Sequence, residues 1–196
     1  MKPNYKLILK ILGITVFLIL GYLFFDRYAT KAHSPEDTVV YQEQDLQLEV
    51  FYNRPYKKER EIFGGLVPYG EVWRTGANEA TTFYTSQDLL VDGSLLKAGK
   101  YTLWTIPMEN SWKVIFNSQM YPWGINQDQK AYRDPQYDVL TLEVPTLEME
   151  HVMEQFSIYF EKANDLVFLN LAWDDTQVKV PLKTTEEAPT ALLPAI

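Results

Sequence analysis

An unbroken apolar run opens the chain, and an alternating pattern follows it. Residues 7–25, LILKILGITVFLILGYLFF, hold a single charge, that of Lys10. Nineteen helical residues extend about 28 Å at 1.5 Å each, close to the thickness of the hydrocarbon core of a membrane. Lys10 lies near the start of the run, where a lysine can reach the interface. The run therefore predicts a transmembrane helix that contacts the lipid bilayer through residues 7–25.

The charges around this run predict its orientation. Lys2, Lys6 and Lys10 lie at its N-terminal end, and cytoplasmic flanks are rich in basic residues. We therefore expect a single-pass protein of the inner membrane, with a cytoplasmic N-terminus and the C-terminal domain in the periplasm. A cleaved signal peptide, cut after Ala32, is the alternative, but its apolar core is usually shorter. The length favours an uncleaved signal-anchor helix over 1–27.

Beyond a polar spacer at 28–44, apolar and polar residues alternate with the period of a β-strand. Leu46, Leu48 and Val50 would thus share one face of the first strand. Similar segments recur about every ten residues. The predicted strands cover 45–55, where Pro55 ends the first, and 80–87, 89–92, 101–107, 111–117, 137–145, 155–162, 166–173 and 177–183.

Short strands at this spacing are typical of an all-β sandwich or barrel. Asp92-Gly93 and Asn164-Asp165 supply turn chemistry between neighbouring strands. No helical period appears outside the apolar run. We predict an antiparallel β-sandwich, jelly-roll-like and of about nine strands, over 45–183, with a closed barrel as the alternative. A flexible tail is expected over 184–196.

Composition excludes several classes of function. The chain has no cysteine and only two histidines, His33 and His151, so we expect no disulfide, no metal and no cofactor. The common phosphate-loop, dinucleotide and hydrolase motifs are missing, and no catalytic residue is assigned. The first 25 residues hold three of the 18 basic residues and none of the 26 acidic ones. The remainder therefore carries a net charge of −11, which argues against nucleic-acid binding.

Two long segments, 53–78 and 118–136, show no strand period. Long ordered loops often carry binding or catalytic residues, so both segments are candidates for function. In the first, the planar fork of Arg74 suits a carboxylate, either that of Glu79 or one on a ligand. Arg74 and Glu79 either pair with each other and tie the loop to the sheet, or line a polar pocket floored by aromatic rings. The candidate ligand or interface residues are Tyr69, Trp73, Arg74, Asn78, Glu79, Thr81 and, in the second loop, Trp123.

One family combines these features. The strings GGLVPYGEVWRTGANEATT, LKAGKYTLWTIP and WKVIFN occur in this order, followed by Trp123-Gly124 and Asp138-Val139-Leu140. Over residues 45–183 the chain resembles the bacterial domain-of-unknown-function family twenty-nine-eleven. The resemblance implies an exported β-rich domain, of a kind frequent in the Bacteroidetes group, without an established activity. Thr141, where members often have a basic residue, and Glu59, near which they tend to have a glycine, depart from the family pattern.

Three functions are compatible with the sequence. The anchor, the acidic surface and the lack of catalytic motifs favour an accessory subunit of a cell-envelope complex that binds an envelope protein partner. A glycan or small-ligand binding module that uses the 68–81 loop with Trp123 is the second. The third is a hydrolase acting through Glu79, with Arg74 as charge stabiliser. Glycosidase chemistry by an acid pair such as Glu71 and Glu79 would require the two carboxyls to face each other across a cleft.

Overall fold

A long helix precedes the folded domain. The structure, a computed structural model, describes residues 5–126, 128 and 130–185, without the side chains of 26–28. Helix α1 spans Tyr5–His33, and its side chains up to residue 25 are exposed. Its length and composition suit a membrane span, and a signal sequence near the N-terminus has the same properties. Most of the predicted tail, from residue 186 onward, lies outside the described residues, as does Lys2.

The described part of the chain continues with nine antiparallel strands. In space they follow the order β1-β2-β3-β6-β7-β8-β9-β4-β5. A short 3-10 turn, Pro135–Tyr137, precedes β8. The strands are β1 Glu36–Glu43, β2 Leu46–Asn53, β3 Thr82–Thr85, β4 Leu89–Val91, β5 Ser94–Leu96, β6 Gly99–Pro107, β7 Ser111–Asn117, β8 Asp138–Ala163 and β9 Leu166–Thr184.

Strand β8 belongs to both layers of the domain. One layer contains β1, β2, β3, β6 and β7, and the other contains β4, β5 and β9. Its first part pairs with β7 as far as Pro145, which lies opposite Ser111. From Thr146 onward it pairs with β9 instead. Proline has no N–H for a sheet hydrogen bond, so it suits the point at which pairing changes. The sheet does not close on itself. The predicted β-sandwich is therefore confirmed, and the closed barrel is wrong.

The core lies between the two layers. The alternation predicted for β2 is present: Leu46, Leu48, Val50 and Tyr52 are all buried. Tyr52 also joins the layers, because its hydroxyl accepts a hydrogen bond from the backbone N–H of Ile158 at 2.9 Å. The core continues through the buried faces of β3, β6, β7 and β9.

Strand lengths differ from the prediction. The segments 137–145 and 155–162 form one continuous strand, β8, and 166–173 and 177–183 form β9. The breaks inferred from the pattern correspond to register shifts in the β8–β9 pairing on both sides of Met153. A bulge interrupts the alternation of side chains without ending the strand.

The polar spacer predicted for 28–44 is also wrong. Helix α1 continues to His33, and β1 begins at Glu36. Strand β1 pairs with β2 along its whole length, with Val39 opposite Val50. It lies at the edge of the sheet and leaves every second residue exposed. Polar residues are common in such an edge strand, which explains why the sequence EDTVVYQE indicated a spacer.

Candidate functional site

The turn 73–81, which contains the GANEAT string, projects from the edge of strand β6. Trp73 and Thr105 exchange two backbone hydrogen bonds, of 2.7 and 3.0 Å. At the other end of the turn, the N–H of Leu103 donates to the carbonyl of Thr81 at 2.8 Å. The turn is thus fixed to the sheet at both ends, and the residues between are buried or half-buried.

Several residues inside the turn have unusual backbone conformations. Thr75 and Asn78 have φ angles of 58° and 55°, and that of Gly76 is 149°. A Cβ at Gly76 would lie 2.9 Å from the backbone oxygen of Asn53, so the position requires glycine. The buried Thr81 hydroxyl donates to the Thr75 carbonyl at 2.6 Å. Thr81 therefore closes the turn from inside.

Asn78 and Glu79 hold the end of helix α1. The Nζ of Lys31 lies 3.3 Å from the Oε1 of Glu79. The Nδ2 of Asn78 donates to the carbonyl of Ser34 at 3.3 Å. Asn53 links the two residues, since its Nδ2 donates to Oε2 of Glu79 at 3.0 Å and its Oδ1 accepts from Asn78 at 3.3 Å. These contacts fasten the folded domain to the C-terminal end of its apolar helix.

Arg74 and Glu79 do not form the ion pair considered from the sequence. The Glu79 carboxylate contacts Lys31 and Asn53 instead. Within the described residues the Arg74 guanidinium has no ion pair, and its Nη1 is buried without a hydrogen-bond partner. Burial lowers the pKa of Arg74, and the charge of Glu79 opposes this from a distance. Glu79 therefore supports the charge of Arg74 without direct contact.

Glu79→Gln is expected to lower the free energy of unfolding by about 1–2 kcal/mol at pH 7, since it removes charge-assisted hydrogen bonds. Burial alone would raise the pKa of Glu79, but bonds from its own backbone, Lys31 and Asn53 lower it below 4.5. A carboxyl with a lowered pKa stabilises the fold above its unfolded pKa, and this contribution is lost as the pH falls. The difference between the two proteins should therefore be constant from pH 7 to 5 and shrink below 4.5.

This difference can be measured by urea unfolding of the full-length protein in mild detergent, followed by tryptophan fluorescence. Glu150→Gln is the matched control, because Glu150 is exposed on β8 and forms no ion pair among the described residues. It should leave the free energy of unfolding unchanged. An equal cost of Glu79→Gln at pH 4 and pH 7 would contradict an ionised role for Glu79.

A cleft of about 780 Å³ opens beside this turn. The end of α1, the loop between β2 and β3 and the loop between β7 and β8 form its walls. The side chains of Trp73 and Trp173 line it as well. The lining residues are His33, Ser34, Pro55, Lys58, Arg60, Leu66, Val67, Pro68, Glu71, Val72, Trp73, Arg74, Gly76, Ala77, Ile125, Lys130, Ala131 and Trp173.

The aromatic floor of the cleft is part of the core. The Trp73 and Trp173 rings are stacked, with centroids 6.0 Å apart and planes at 17°. Trp73 also meets Phe156 edge-on at 4.9 Å, and Phe63 and Trp112 complete the cluster. Each ring is held by several others, so the floor is a rigid surface.

The charged residues of the cleft are mostly cationic. Among the described residues, Lys58, Arg60, Arg74 and Lys130 line it, against one carboxylate, that of Glu71. In a domain with a large net negative charge, this is a local reversal of sign. Anions are attracted to such a concave positive surface.

Hydrogen bonds to the backbone position two of these cations. The N–H of Lys58 donates to a carboxylate oxygen of Glu154 on β8 at 3.0 Å. The Nε of Arg60 donates to the carbonyl of Lys57 at 2.9 Å, and its Nη2 donates to the carbonyl of Tyr56. The loop after β2 is therefore folded against β8, and it presents Lys58 and Arg60 to the cleft.

The loop before β8 supplies the opposite wall. Ile125 and Ala131 form an antiparallel bridge, and the N–H of Asn126 donates to the carbonyl of Lys130 at 2.9 Å. Gly124, which precedes this bridge, packs against the GANEAT turn. A Cβ at Gly124 would lie 3.2 Å from the Cβ of Arg74, so the small residue permits the close approach.

Two donors of the cleft residues lack an acceptor. Nη1 of Arg74 and Nε1 of Trp173 are buried and have no hydrogen-bond partner. Trp173 is only 1% exposed, although it contributes to the lining. Buried donors are nearly always paired in folded proteins, and leaving one unpaired costs about 1–3 kcal/mol. A ligand rich in acceptors would complement this surface.

The structure separates the candidates taken from the sequence. Trp73 and Arg74 line the cleft, whereas Asn78, Glu79 and the buried Thr81 build the turn behind it. Tyr69 and Trp123 are not among the lining residues.

The hydrolase hypothesis requires two carboxyls in one cleft. Glu71 lines the cleft, but Glu79 does not, and its carboxylate is bound by Lys31 and Asn53. This arrangement does not favour the acid pair.

Among the lining residues that the sequence analysis missed are four basic side chains and one aromatic ring. His33, Lys58, Arg60 and Lys130 belong to segments far apart in the chain, and Trp173 belongs to a strand. One feature of the sequence could have indicated the three cations: Lys58, Arg60 and Lys130 all lie in the two long segments without a strand period.

Comparison with known proteins identifies a family and no function. The model of the family described as protein of unknown function (DUF2911) matches residues 34–182. The match begins at the buried Ser34 and includes strand β1, both long loops and the GANEAT turn. No curated protein and no solved structure is significantly similar to the chain.

Proposed function

This chain belongs to the DUF2911 family, and we propose that it is a membrane-anchored domain that binds a small anionic ligand in the cleft beside the GANEAT turn. One observation carries the proposal. Arg74 lines the cleft with a buried guanidinium nitrogen that has no acceptor within the described chain. A ligand carboxylate or phosphate would supply the acceptor and the opposite charge together.

The rest of the lining supports an anion over a neutral sugar. Lys58, Arg60 and Lys130 add positive charge around Arg74, and Trp173 adds a donor. Ionised carboxylates only accept hydrogen bonds, and phosphates are rich in acceptor oxygens, so both suit a surface that presents donors. The rigid aromatic floor of Trp73 and Trp173 would pack against the apolar part of the ligand.

The proposal predicts a thermal shift that depends on Arg74. At tenfold excess over the dissociation constant, a ligand stabilises the fold by about 1.4 kcal/mol, which corresponds to about 3–6 °C. We expect glycerol 3-phosphate or inorganic phosphate to raise the unfolding midpoint of the full-length protein in mild detergent at constant ionic strength. Arg74→Gln should remove most of this shift. Tryptophan fluorescence during heating provides the measurement.

Lys113→Gln is the matched control, since Lys113 is an exposed cation on β7 that does not line the cleft. It should respond to the ligand like the unmodified protein. An unchanged response in Arg74→Gln would contradict the proposal. A shift caused only by neutral sugars such as N-acetylglucosamine would contradict it too and favour the glycan-binding alternative.

The anchoring mode is part of the same proposal. We propose that α1 crosses the inner membrane with a cytoplasmic N-terminus and leaves the β-sandwich in the periplasm. The 29-residue length of the helix, its exposed apolar side chains and Lys6 and Lys10 near its start support this orientation. The contacts of Lys31 and Ser34 with the GANEAT turn support a retained helix, because cleavage after Ala32 would remove Lys31 from Glu79.

An envelope protein partner is the second candidate function. Tyr69 and Met108 are 41% and 44% exposed. Gly70, which follows Tyr69, donates a backbone hydrogen bond of 2.9 Å to the carbonyl of Pro107, which precedes Met108. The two turns therefore adjoin. Two exposed apolar side chains on adjoining turns form a small surface that suits a protein contact.

The partner proposal is tested by isolating the full-length protein from its native membrane in mild detergent. A stoichiometric companion should be retained by the unmodified protein and lost from the double variant Tyr69→Ser, Met108→Ser. Met120→Ser is the control, because Met120 is 45% exposed in a different loop. A companion retained by the double variant, or none in the unmodified protein, would contradict this surface as the contact.

A further inference from the structure

The cleft lies at the point where the chain leaves the membrane. His33, the last residue of α1, and Ser34 line it. The apolar run ends at residue 25, so His33 is eight helical residues, or about 12 Å, beyond the hydrocarbon core. The headgroup layer accounts for about 5–8 Å of this distance. The cleft is therefore adjacent to the outer surface of the bilayer that α1 spans.

The attachment of the domain to the helix keeps the cleft at this height. The side chains of Asn78 and Glu79 contact Ser34 and Lys31 directly, with no flexible linker between helix and domain. Strand β1 begins only two residues after Ser34. The same turn also carries Arg74, so the cationic lining and the helix end belong to one fixed unit.

From these observations we propose that the anion bound in the cleft is the phosphate headgroup of an anionic phospholipid in the supporting membrane. This inference rests on the proposed anion-binding function and names the source of the anion. The part of the chain beyond residue 25 carries a net charge of −11, so an anionic membrane repels the domain as a whole. Binding of an anionic lipid therefore requires a local site and not general electrostatic attraction. The cleft cations are the exception to that charge, and the phosphate would lie among Lys58, Arg74 and Lys130.

Lysine acylation measures occupancy of the cleft. Lys58 and Lys130 are exposed and line it, whereas Lys100 and Lys113 are exposed elsewhere. The full-length protein is placed in nanodiscs of phosphatidylcholine alone or with added phosphatidylglycerol, and acylation by an amine-reactive ester is followed by mass spectrometry. We expect phosphatidylglycerol to slow acylation of Lys58 and Lys130 about threefold. Slowing of this size corresponds to a lipid bound in about two thirds of the protein molecules. Lys100 and Lys113 report any general effect of the charged surface.

Variants connect this protection to the cleft. Arg74→Gln should abolish the protection of Lys58 and Lys130. Lys130→Gln, a change at an exposed residue that leaves the core intact, should weaken the protection of Lys58 and serves if Arg74→Gln fails to fold. Equal slowing at all four lysines, or protection unchanged in both variants, would overturn the proposal.

Soluble ligand distinguishes this inference from the function on which it rests. Glycerol 3-phosphate is added to the protein in nanodiscs of phosphatidylcholine. Protection by glycerol 3-phosphate but not by phosphatidylglycerol would overturn the membrane source and leave anion binding in place. Protection by neither would overturn both. Protection by phosphatidylglycerol, with or without an effect of glycerol 3-phosphate, supports the lipid headgroup as ligand.

Discussion

Replacing Trp73 by alanine is expected to lower the free energy of unfolding by about 3 kcal/mol, the lower end of the range for a buried aromatic side chain, because Trp73 is partly buried. The Trp73 ring contacts four others, with centroids between 4.9 and 6.3 Å away: Phe63, Trp112, Phe156 and Trp173. Trp112 lies on β7 in one layer, and Phe156 and Trp173 lie on β8 and β9 in the other, so the rings cannot all move into the space left behind. Urea unfolding of the full-length protein in mild detergent measures the loss.

Trp73→Phe separates packing from hydrogen bonding. Phenylalanine retains most of the ring contacts but loses the hydrogen bond of 3.0 Å from Nε1 to the carbonyl of Gly76. We expect a cost of about 1–2 kcal/mol for this variant, since a neutral hydrogen bond contributes about 1 kcal/mol and some ring area is lost too. Equal costs for the phenylalanine and alanine variants would contradict a packing role.

Tyr69→Ala is the control for both variants. Tyr69 lies four residues before Trp73 in the same loop, and 41% of its surface is exposed. Substitutions at such sites usually change stability by about 0.5 kcal/mol or less. A loss near that of Trp73→Ala would mean that the whole loop, and not the aromatic cluster, determines the stability.

The fold was predictable because alternation and turn residues report local geometry. Asp92 and Gly93 form the tight turn between β4 and β5 with positive φ angles of 48° and 80°, as their chemistry predicts. The long strands β8 and β9 were not predictable at full length, because bulges shift the alternation within one strand. Strand β1 was missed because the residues of an edge strand need not be apolar.

The site was predictable only in part, for a different physical reason. Arg74 and Trp73 are adjacent in a segment with an unusual density of glycine and polar residues, which the sequence displays directly. Lys58 and Lys130 reach the same cleft through folding of two loops against β8 and against the GANEAT turn. Such convergence depends on tertiary contacts between distant segments. No spacing rule in a single sequence indicates it.

The GANEAT turn has two faces with different partners. Arg74 belongs to the cleft, whereas Asn78 and Glu79 contact the end of helix α1. Gly76 lies between them in sequence and packs on the backbone of Asn53, which itself binds Asn78 and Glu79. A disturbance at Gly76 would therefore affect the fold, the attachment of the helix and the cleft together.

Gly76→Ala is expected to lower the free energy of unfolding by about 2–4 kcal/mol, from backbone strain and overpacking combined. The φ angle of 149° is rarely adopted by a residue with a side chain. The new Cβ would lie 2.9 Å from the Asn53 carbonyl oxygen and 3.2 Å from Oγ1 of Thr81. The first neighbour is backbone of strand β2, which cannot rotate away as a flexible side chain would.

Gly70→Ala provides the comparison for this prediction. Gly70 also has a positive φ, 76°, but nothing lies within 4 Å of the position of its Cβ. It should therefore show the strain alone, about 1–2 kcal/mol. Gly76→Ala should in addition reduce the pH dependence that Glu79 gives to stability below pH 4.5, because displacement of Asn53 removes one of the bonds that lower its pKa. If both variants lost the same free energy of unfolding and the pH dependence were intact, glycine would be required at position 76 only for its φ angle and not for its contact with Asn53.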